Sequence, residues 1–421
     1  MTRITALLLP FAAGYFLSYL FRTINGPISD RLVQEFGLGP QSLGTLTSLY
    51  FLAFAAFQIP AGLLIDRHGP RRVQASLLVV AALGAATFAV ASGPATLMLG
   101  RALIGLGTSA ALVTGLKAIV LWLPEARRTS ANAWLVACGG LGAIASTVPL
   151  DAATGLLGWR AVFVILAVAA VAVAALVWRH VPDQPKEVTA MAHSNGLHET
   201  WQGLGVVFQD SRFWRVAPLS ASVVGAAFAI HGLWAARWLG DVWDLSAHDV
   251  TSVLLAMGLG LTAGASLFGI LAGQTVQRGI GTQSLFGATC LAFMAVEAAV
   301  VAAVPVPPVL LLGVFGAFGA VTVLSFSLVG GLFPPSLAGR ANGALNVLHL
   351  GTAFLMQAGI GAIVSLWPAR AGGHAPVAAY AAAFGCLIAV QATAFVWFLV
   401  GCSRGAAPAG RHLAIAEAQP E

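Results

Sequence analysis

Long apolar stretches alternate with short polar segments along most of the chain. An α-helix needs about 20 mostly apolar residues to cross the hydrocarbon core of a membrane. Twelve stretches reach that length, and we number them as predicted spans 1 to 12: residues 5–27, 44–64, 73–92, 97–122, 131–151, 161–180, 214–238, 249–273, 283–304, 308–332, 341–366 and 377–401. The pattern predicts an all-α membrane protein with twelve transmembrane helices.

The longest polar segment between spans divides them into two sets of six. It runs from His180 to Phe213 and contains prolines together with acidic and basic residues. We therefore expect four parts: an N-terminal six-helix bundle at 1–180, a cytoplasmic linker at 181–213, a C-terminal six-helix bundle at 214–401 and a cytoplasmic tail at 402–421.

The composition indicates that lipid, rather than water, surrounds most of the protein. Hydrophobic residues make up 58% of the chain and charged residues only 9%, with a mean hydropathy of +0.88. A soluble domain carries roughly a quarter charged residues. This chain lacks the polar surface that a soluble protein of its size needs, which excludes a soluble globular enzyme.

The distribution of basic residues predicts the orientation in the membrane. Cytoplasmic loops carry an excess of Lys and Arg. With the N-terminus in the cytoplasm, that side holds 14 of the 21 basic residues, and the other side holds five: Arg31, Arg101, Arg160, Arg237 and Arg370. We expect an integral protein of a bacterial inner (plasma) membrane with both termini cytoplasmic. The net charge of +6 then reflects topology and does not indicate nucleic-acid binding.

An internal repeat relates the two sets of spans. Pro124 lies eight residues before Asn132, and Pro334 lies eight residues before Asn342, at an offset of 210 residues. In both cases Ala precedes the Asn. The loops after spans 2 and 8 each carry a Gly followed five residues later by an Arg, at an offset of 211 residues: Gly62 and Arg67, then Gly273 and Arg278. The repeat predicts two pseudo-symmetric bundles of parallel topology, with a substrate site between them near the bilayer midplane.

The loop after span 2 contains the most specific motif. Its sequence, GLLIDRHGPRR from Gly62 to Arg72, resembles the G-x-L-x-D-R-x-G-x-R-R signature of the major facilitator superfamily. The resemblance implies a cytoplasmic gating latch between the two halves, formed by Gly62, Asp66, Arg67, Gly69, Arg71 and Arg72. We expect Gly62 to allow close helix packing there. A simpler interpretation is a positive-inside anchor.

Two further segments resemble the same superfamily. Span 4 begins GRALIGLG at Gly100, similar to the fourth-helix arginine motif, with Arg101 and Gly105 as its characteristic residues. GWRAVF at Gly158 is similar to a common segment before the sixth helix. The resemblance covers residues 1–401.

Within the superfamily, several segments resemble the organic-anion/proton symporters of the anion:cation symporter group. They are RTIN from Arg22, QIPAG from Gln58, and KAIVLWLPE from Lys117. In that group basic residues of helices 1 and 4 contact an anionic substrate, which implies this role for Arg22 and Lys117. The group often has an acid before the helix 1 arginine, where this chain has Phe21. Span 5 lacks the G-P-x-x-G-G sequence typical of drug/proton antiporters.

A charge within a membrane costs roughly 2.5–3.5 kcal/mol on insertion scales, so Arg22 and Lys117 need a reason to be there. Together they offer a bidentate guanidinium and an ammonium to a carboxylate. Alternatively, each snorkels to the nearer membrane surface. The remaining candidate substrate contacts are polar or aromatic residues of the spans: Asn25, Gln58, His231, Trp234 and Asn346.

Three residues are candidates to carry a coupled proton: His231, Glu297 and Glu125. Histidine titrates near neutral pH, and Glu297 is the acid deepest within the second half. Helix 9 is peripheral in the superfamily, so a structural role for Glu297 is the alternative. Glu125 is equally explained as a solvated loop residue beside Arg127 and Arg128.

The chain contains no nucleophile and base pattern, phosphate-binding loop or metal-ligand cluster, so we expect no enzyme activity, cofactor or metal. The sequence predicts a secondary active transporter, with proton-coupled uptake of a small organic anion by alternating access. The alternatives are a proton-coupled drug or metabolite exporter of the same fold and a non-transporting membrane sensor. The expected partners are an anionic small molecule, protons and membrane lipid, without nucleic acid, and the expected oligomeric state is a monomer.

Overall fold

The structure is a computed structural model that describes residues 3–185, 197–277, 281–370 and 374–404. The regular elements in these residues are all helical, as the sequence predicts. The first half contains the helices Arg3–Thr23, Asn25–Phe36, Pro40–Ala89, Pro94–Thr108, Ala111–Trp122, Glu125–Ala145, Val148–Leu157 and Trp159–His180. The remainder contains the helices Leu197–Gln209, Ser211–Ala229, Ala235–Trp243, Ala247–Gln277, Thr282–Val301, Pro308–Gly319, Thr322–Gly331, Pro335–Val364 and Val377–Arg404, and a π-helical turn at Ile230–Trp234.

Among the described residues, nine helices are long and apolar enough to cross a membrane. Two bent pairs reach that length if each is taken as one span: Leu7–Thr23 with Asn25–Phe36, and Glu125–Ala145 with Val148–Leu157, each bent by 46°. The 50-residue helix Pro40–Ala89 contains predicted spans 2 and 3. Gly69, with a φ of 81°, interrupts the helix between these two spans. Glycine adopts this left-handed conformation without a steric penalty. The arrangement is consistent with the twelve predicted spans.

Span 1 continues further than the sequence predicts. The predicted end at residue 27 is wrong, because the chain bends at Ile24 and forms a second helix, Asn25–Phe36. Hydropathy alone does not predict this segment as part of a span, because it contains three charged residues. The structure pairs those charges with other elements, and Ile28 and Leu32 of the same helix are buried. We call Asn25–Phe36 the span 1 extension.

The two loops that carry the internal repeat have the same local structure. Pro124 is the N-cap residue of Glu125–Ala145, with φ −58° and ψ 146°, and Pro334 is the N-cap residue of Pro335–Val364, with φ −56° and ψ 154°. Proline suits this position because its φ is fixed near −65° and it has no N–H that would be left unpaired. Matching conformations at equivalent positions support two related halves.

The halves pack against each other at one end of the bundle. We call the end that carries residues 62–72 the motif end, and the other end the opposite end. At the opposite end, spans 2 and 11 approach so closely that a Cβ added to Gly44 would lie 2.9 Å from the Gln357 carbonyl oxygen. A Cβ added to Gly361 would lie 2.6 Å from the Pro40 carbonyl oxygen. Glycine at both positions makes this contact possible.

The ion pairs between the halves also lie at the opposite end. Among the described residues there are two: Arg237 of span 7 with Asp30 of the span 1 extension, and, when His248 is protonated, His248 just before span 8 with Asp151 of span 5, at 4.0 Å. Among the described residues, three ion pairs at the motif end join residues of the first half and the start of the linker, and the Arg212–Asp210 pair lies within the end of the linker. The protein is therefore closed at the opposite end.

Parts of all four predicted segments lie outside the described residues. The larger ones are positions 186–196 of the linker and 405–421 of the tail, and the smaller ones are 1–2, 278–280 and 371–373 in the bundles. Within the linker, Leu197–Gln209 forms a helix that continues almost directly into span 7. Arg278, the repeat equivalent of Arg67, also lies outside the described residues.

Candidate functional site

Arg22 lies at the bend of span 1, one residue before the end of the helix Arg3–Thr23. Its side chain is buried, with 7% of the residue exposed, and its Nε has no hydrogen-bond partner. Among the described residues, Arg22 forms no ion pair, because no carboxylate oxygen lies within 4.0 Å of its guanidinium. A buried guanidinium without a counter-charge is costly in a membrane protein unless the cavity supplies an anion or water.

Aromatic rings from both halves surround the Arg22 guanidinium. Its Cζ lies 4.5 Å from the centroid of the Tyr19 ring, 5.4 Å from that of Phe54 and 5.0 Å from that of Phe228. Phe228 belongs to span 7 and stacks on Phe51 of span 2, with centroids 6.1 Å apart and planes 5° apart. Each cation–π contact contributes about 0.5–2 kcal/mol, so the rings offset part of the burial cost and leave the charge available.

Three further predicted contact residues are buried: His231, Asn25 and Gln58. His231 is 9% exposed and, with Phe228, lines a cavity of about 20 Å³, which is room for about one water molecule. The next residue, Gly232, lies beside Arg22, because a Cβ added to it would lie 3.8 Å from the Arg22 carbonyl oxygen. Asn25 donates from Nδ2 to Thr47 Oγ1 at 3.0 Å and keeps an unpartnered Oδ1. Gln58 also has a buried Oε1 without a partner.

Trp234 and Asn346 are arranged differently. Trp234 is 1% exposed and its ring packs between Gly44 and Gly361, so it lies in the contact between spans 2 and 11. Its Nε1 donates to the Gln357 backbone oxygen at 3.0 Å. Asn346 is half-buried on span 11. Trp234 is thus a packing residue in this state.

Arg101 is buried within the bundle. The sequence places it among the basic residues of the outer side, but its residue exposure is 0%. Its Nη1 donates to the Phe21 carbonyl at 2.7 Å and its Cζ lies 4.9 Å from the Tyr50 ring centroid. Arg101 therefore contacts the turn of span 1 that carries Arg22. A Cβ on Gly105 would lie 2.2 Å from the Tyr50 carbonyl oxygen, so this glycine allows spans 2 and 4 to meet.

Lys117 pairs with the loop motif. Its Nζ donates to Asp66 Oδ1 at 2.9 Å, and both side chains are partly exposed, at 30% and 58%. Lys117 stands only five residues before Trp122, where the span 4 helix ends at the motif end. In this state the structure therefore gives Lys117 a carboxylate partner, whereas Arg22 has none among the residues that the structure describes.

The other motif residues contact the end of span 6 and the start of the linker. Arg71 and Arg72 pair with Asp183 at 3.1 Å and 3.6 Å, and Arg71 Cζ lies 4.9 Å from the Trp178 ring centroid. Arg67 is exposed. The expectation that Gly62 allows close helix packing is wrong for this state, because a Cβ there would meet no described atom within 4 Å.

The other two proton-coupling candidates lie away from Arg22. Glu297 is 0% exposed, and its Oε2 accepts a hydrogen bond from Gln391 Nε2 at 2.7 Å, between spans 9 and 12. Among the described residues, no basic side chain pairs with it. Glu125 is exposed at the start of span 5.

A charged network at the opposite end was missed by the sequence analysis. Asp241, whose side chain is 2% exposed, accepts from Tyr380 Oη at 2.6 Å, from the Ala375 N–H at 3.2 Å and from Arg237 at 3.2 Å. His374 Nδ1 lies 3.0 Å from it. Arg237 also pairs with Asp30 of the first half. Arg237 and Asp241 stand four residues apart on one helix, but Asp30, His374 and Tyr380 lie far from them along the chain, so the sequence gives no signal for the whole network.

The arrangement predicts that Lys117→Gln has a small effect. Lys117 loses an exposed ion pair with Asp66, and such pairs contribute about 0.2–1 kcal/mol. We expect the KM for a transported substrate to change by less than about fivefold. Initial uptake rates over a range of substrate concentrations measure this. A rise in KM above about fiftyfold would instead mean that Lys117 binds substrate directly.

Comparisons with known proteins agree with the fold. The family model described as Major Facilitator Superfamily matches residues 11–356. A bacterial homolog of the human lysosomal transporter Spinster, solved in an inward-facing and unoccupied conformation, superposes with a TM-score of 0.73 at 15% identity. The match covers 95% of this chain and 97% of that chain.

Curated relatives match at low identity. A protein of Cupriavidus necator assigned to sulfoacetate transport is 26% identical over 179 residues, which is 42% of each chain. One of Agrobacterium vitis assigned to tartrate transport is 23% identical over 287 residues, 66% of this chain and 58% of that one. A quinolone resistance transporter of Acinetobacter baumannii is 25% identical over 180 residues, 41% of this chain and 42% of that one. The chain matches about half the length of these relatives.

Proposed function

The chain belongs to the major facilitator superfamily, whose members are transporters rather than enzymes, and on that premise we propose that it takes up a small organic anion together with protons. The observation that carries the proposal is the buried Arg22 guanidinium, which has no carboxylate partner among the described residues and is surrounded by rings from both halves. A carboxylate or sulfonate entering between the halves would complete its electrostatic environment.

The chemistry of Arg22 favours a small oxyanion. A guanidinium offers parallel N–H donors that match two oxygens of a carboxylate or sulfonate. The unpartnered oxygen atoms of Asn25 and Gln58 can accept hydrogen bonds from hydroxyl groups of the same substrate. The names given to the sulfoacetate and tartrate relatives are in keeping with such a substrate.

We assign the coupled proton to His231. Of the three candidates, it is the one that lines a cavity with Phe228 and belongs to the turn whose Gly232 lies beside Arg22. The arrival of an anion beside a histidine favours its protonated form. Binding of proton and anion would then be mutually favourable, as symport requires.

Orientation and direction complete the proposal. The positive-inside distribution favours the motif end as the cytoplasmic end of a bacterial inner-membrane protein. The state described, closed at the opposite end, is then closed to the outside. Alternating access follows if the two bundles rock around Arg22.

Uptake into proteoliposomes tests the proposal. The purified protein is reconstituted, an inward proton gradient is imposed, and labelled acetate, tartrate, sulfoacetate and a cationic fluoroquinolone are offered in parallel. We expect accumulation of at least one acid that a protonophore abolishes. The quinolone resistance relative favours the exporter alternative. Transport of the fluoroquinolone without transport of any acid would support that alternative and contradict anion uptake.

Assignment of the proton to His231 predicts that Glu297→Gln leaves coupling intact. The amide is isosteric and can still hydrogen bond to Gln391, so the buried contact between spans 9 and 12 is retained. We expect the pH dependence of uptake to match the wild type, measured as initial rate between pH 5 and 8. Loss of gradient-driven accumulation with retained substrate exchange would transfer the coupling role to Glu297.

A further inference from the structure

Span 7 contains a conformation that needs external support. The five residues Ile230–Trp234 form a π-helical turn, in which the N–H of Ala235 donates to the carbonyl of Ile230, five residues earlier. Every residue of the turn is buried. π-helical turns are rare because the wider helix packs its backbone less well, and they persist where neighbouring groups hold them.

Gln357 of span 11 contacts both ends of this turn. It is 0% exposed. In the amide orientation that satisfies both neighbours, its nitrogen donates to the Ala229 carbonyl at 2.9 Å and its oxygen accepts from Trp234 Nε1 at 2.9 Å. Ala229 precedes the turn and Trp234 is its last residue. The Gln357 side chain therefore bridges the turn from beginning to end.

The same residues form part of the contact between the halves. A Cβ on Gly44 of span 2 would lie 2.9 Å from the Gln357 carbonyl oxygen and 3.1 Å from the Trp234 ring. Opening of the opposite end must separate span 2 from span 11, which removes this support from Gln357 and Trp234.

The inner face of the turn contacts the group around Arg22. A Cβ on Gly232 would lie 3.8 Å from the Arg22 carbonyl oxygen and 3.8 Å from the Phe51 ring. His231 of the turn lines the small cavity with Phe228, whose ring covers the Arg22 guanidinium. A change in the turn therefore changes the surroundings of Arg22 directly.

We propose that Gln357 is a positioning residue that holds the π-helical turn of span 7, and that this turn couples closure of the opposite end to the site around Arg22. The inference rests on the proposed function in that it takes Arg22 as the substrate site. When span 2 withdraws from span 11, the turn loses its support and His231 moves relative to Arg22. When the end closes, the turn re-forms and the site is completed.

Hydrogen exchange measured by mass spectrometry tests, without any substrate, whether Gln357 holds the π-helical turn. Gln357→Leu removes both side-chain hydrogen bonds and leaves the bond from Trp234 Nε1 to the backbone oxygen at this position, and we expect amide exchange in residues 229–235 to accelerate about tenfold or more. Gln391→Leu is the matched control, because it removes another buried glutamine of the same half, and it should leave this segment unchanged. Unchanged exchange in Gln357→Leu would overturn the proposal that Gln357 holds the turn. Equal acceleration in both variants would overturn it as well.

Two further variants complete the test. If Gln357→Leu does not fold, Trp234→Phe removes one of the two bonds and keeps a ring, and about threefold to tenfold acceleration is expected. Asp30→Arg replaces the attraction between Asp30 and Arg237 by a repulsion and is expected to open the opposite end. Amide exchange in residues 229–235 should then accelerate in proportion to the fraction of open molecules. Opening without faster exchange overturns the coupling. Because no arm uses transport, failure to transport acids would overturn the proposed function alone.

Discussion

Replacement of Arg22 by Gln is expected to reduce the affinity for a transported anion by at least about thirtyfold. A charge-assisted, buried contact to a substrate oxyanion contributes roughly 2–5 kcal/mol when one partner is removed. Arg22→Lys keeps the charge and loses the planar pair of donors, so we expect an intermediate loss. The measurement is the concentration dependence of initial uptake in proteoliposomes.

The folded state provides a control for this variant. Removal of an unpaired buried charge does not destabilise a membrane bundle, so Arg22→Gln should unfold at a temperature no lower than the wild type without substrate. Lys117→Gln is the matched control for transport, because it removes a basic residue that is already paired with Asp66. Wild-type KM in Arg22→Gln would contradict the proposed site.

Reversal of the charge at Asp30 is expected to open the opposite end. Asp30→Arg replaces an attraction to Arg237 by a repulsion, while Asp241 continues to hold Arg237 in the second half. For a pair with one partly exposed partner, the change is roughly 2 kcal/mol, which shifts the ratio of open to closed molecules by about thirtyfold. The structure predicts this effect because Asp30 belongs to the first half and Arg237 to the second.

Distances between spin labels measure this shift. Gly155→Cys and Ala247→Cys place labels on exposed positions of the two halves at the opposite end, in a background without the native cysteines. Glu35→Arg is the matched control, because Glu35 lies on the same span 1 extension but pairs with Arg160 of its own half. A longer distance in Asp30→Arg alone supports the account. Equal distributions in both variants would show that the Asp30 pair does not hold this end closed.

The sequence predicts the architecture well because the signals for it are local. Apolar length predicts the spans, and the motif at 62–72 and the repeated prolines indicate two related bundles. The span 1 extension is an exception, because local signals do not predict it as part of a span. Its charged residues resemble a loop, and only contacts with distant elements, such as Asp30 with Arg237, make it a helix that packs in the bundle.

Depth within a span is the second limit of the sequence. The periodic pattern cannot distinguish a basic residue that is paired at one membrane surface from one that is buried without a partner. Lys117 and Arg22 look equivalent in sequence, and the structure separates them through Asp66. Arg101 looks like a boundary residue, yet its side chain extends into the bundle to reach the Phe21 carbonyl.

The π-helical turn is the third feature that the sequence does not predict. Its sequence, IHGLW, fits an ordinary apolar helix, so no local pattern predicts the wider turn. The turn depends on Gln357, which lies more than a hundred residues away in the chain. For the same reason the sequence identifies His231 and Trp234 as neighbours on one helix, but not that one faces the site and the other packs between the halves.

The most direct test of the account is the structure of the protein with a transported anion bound. We predict that ligand oxygens lie about 2.7–3.2 Å from the Arg22 guanidinium nitrogens, with the rings of Tyr19, Phe54 and Phe228 around them. An anion bound elsewhere, with Arg22 still covered by its rings and unpaired, would contradict the central claim.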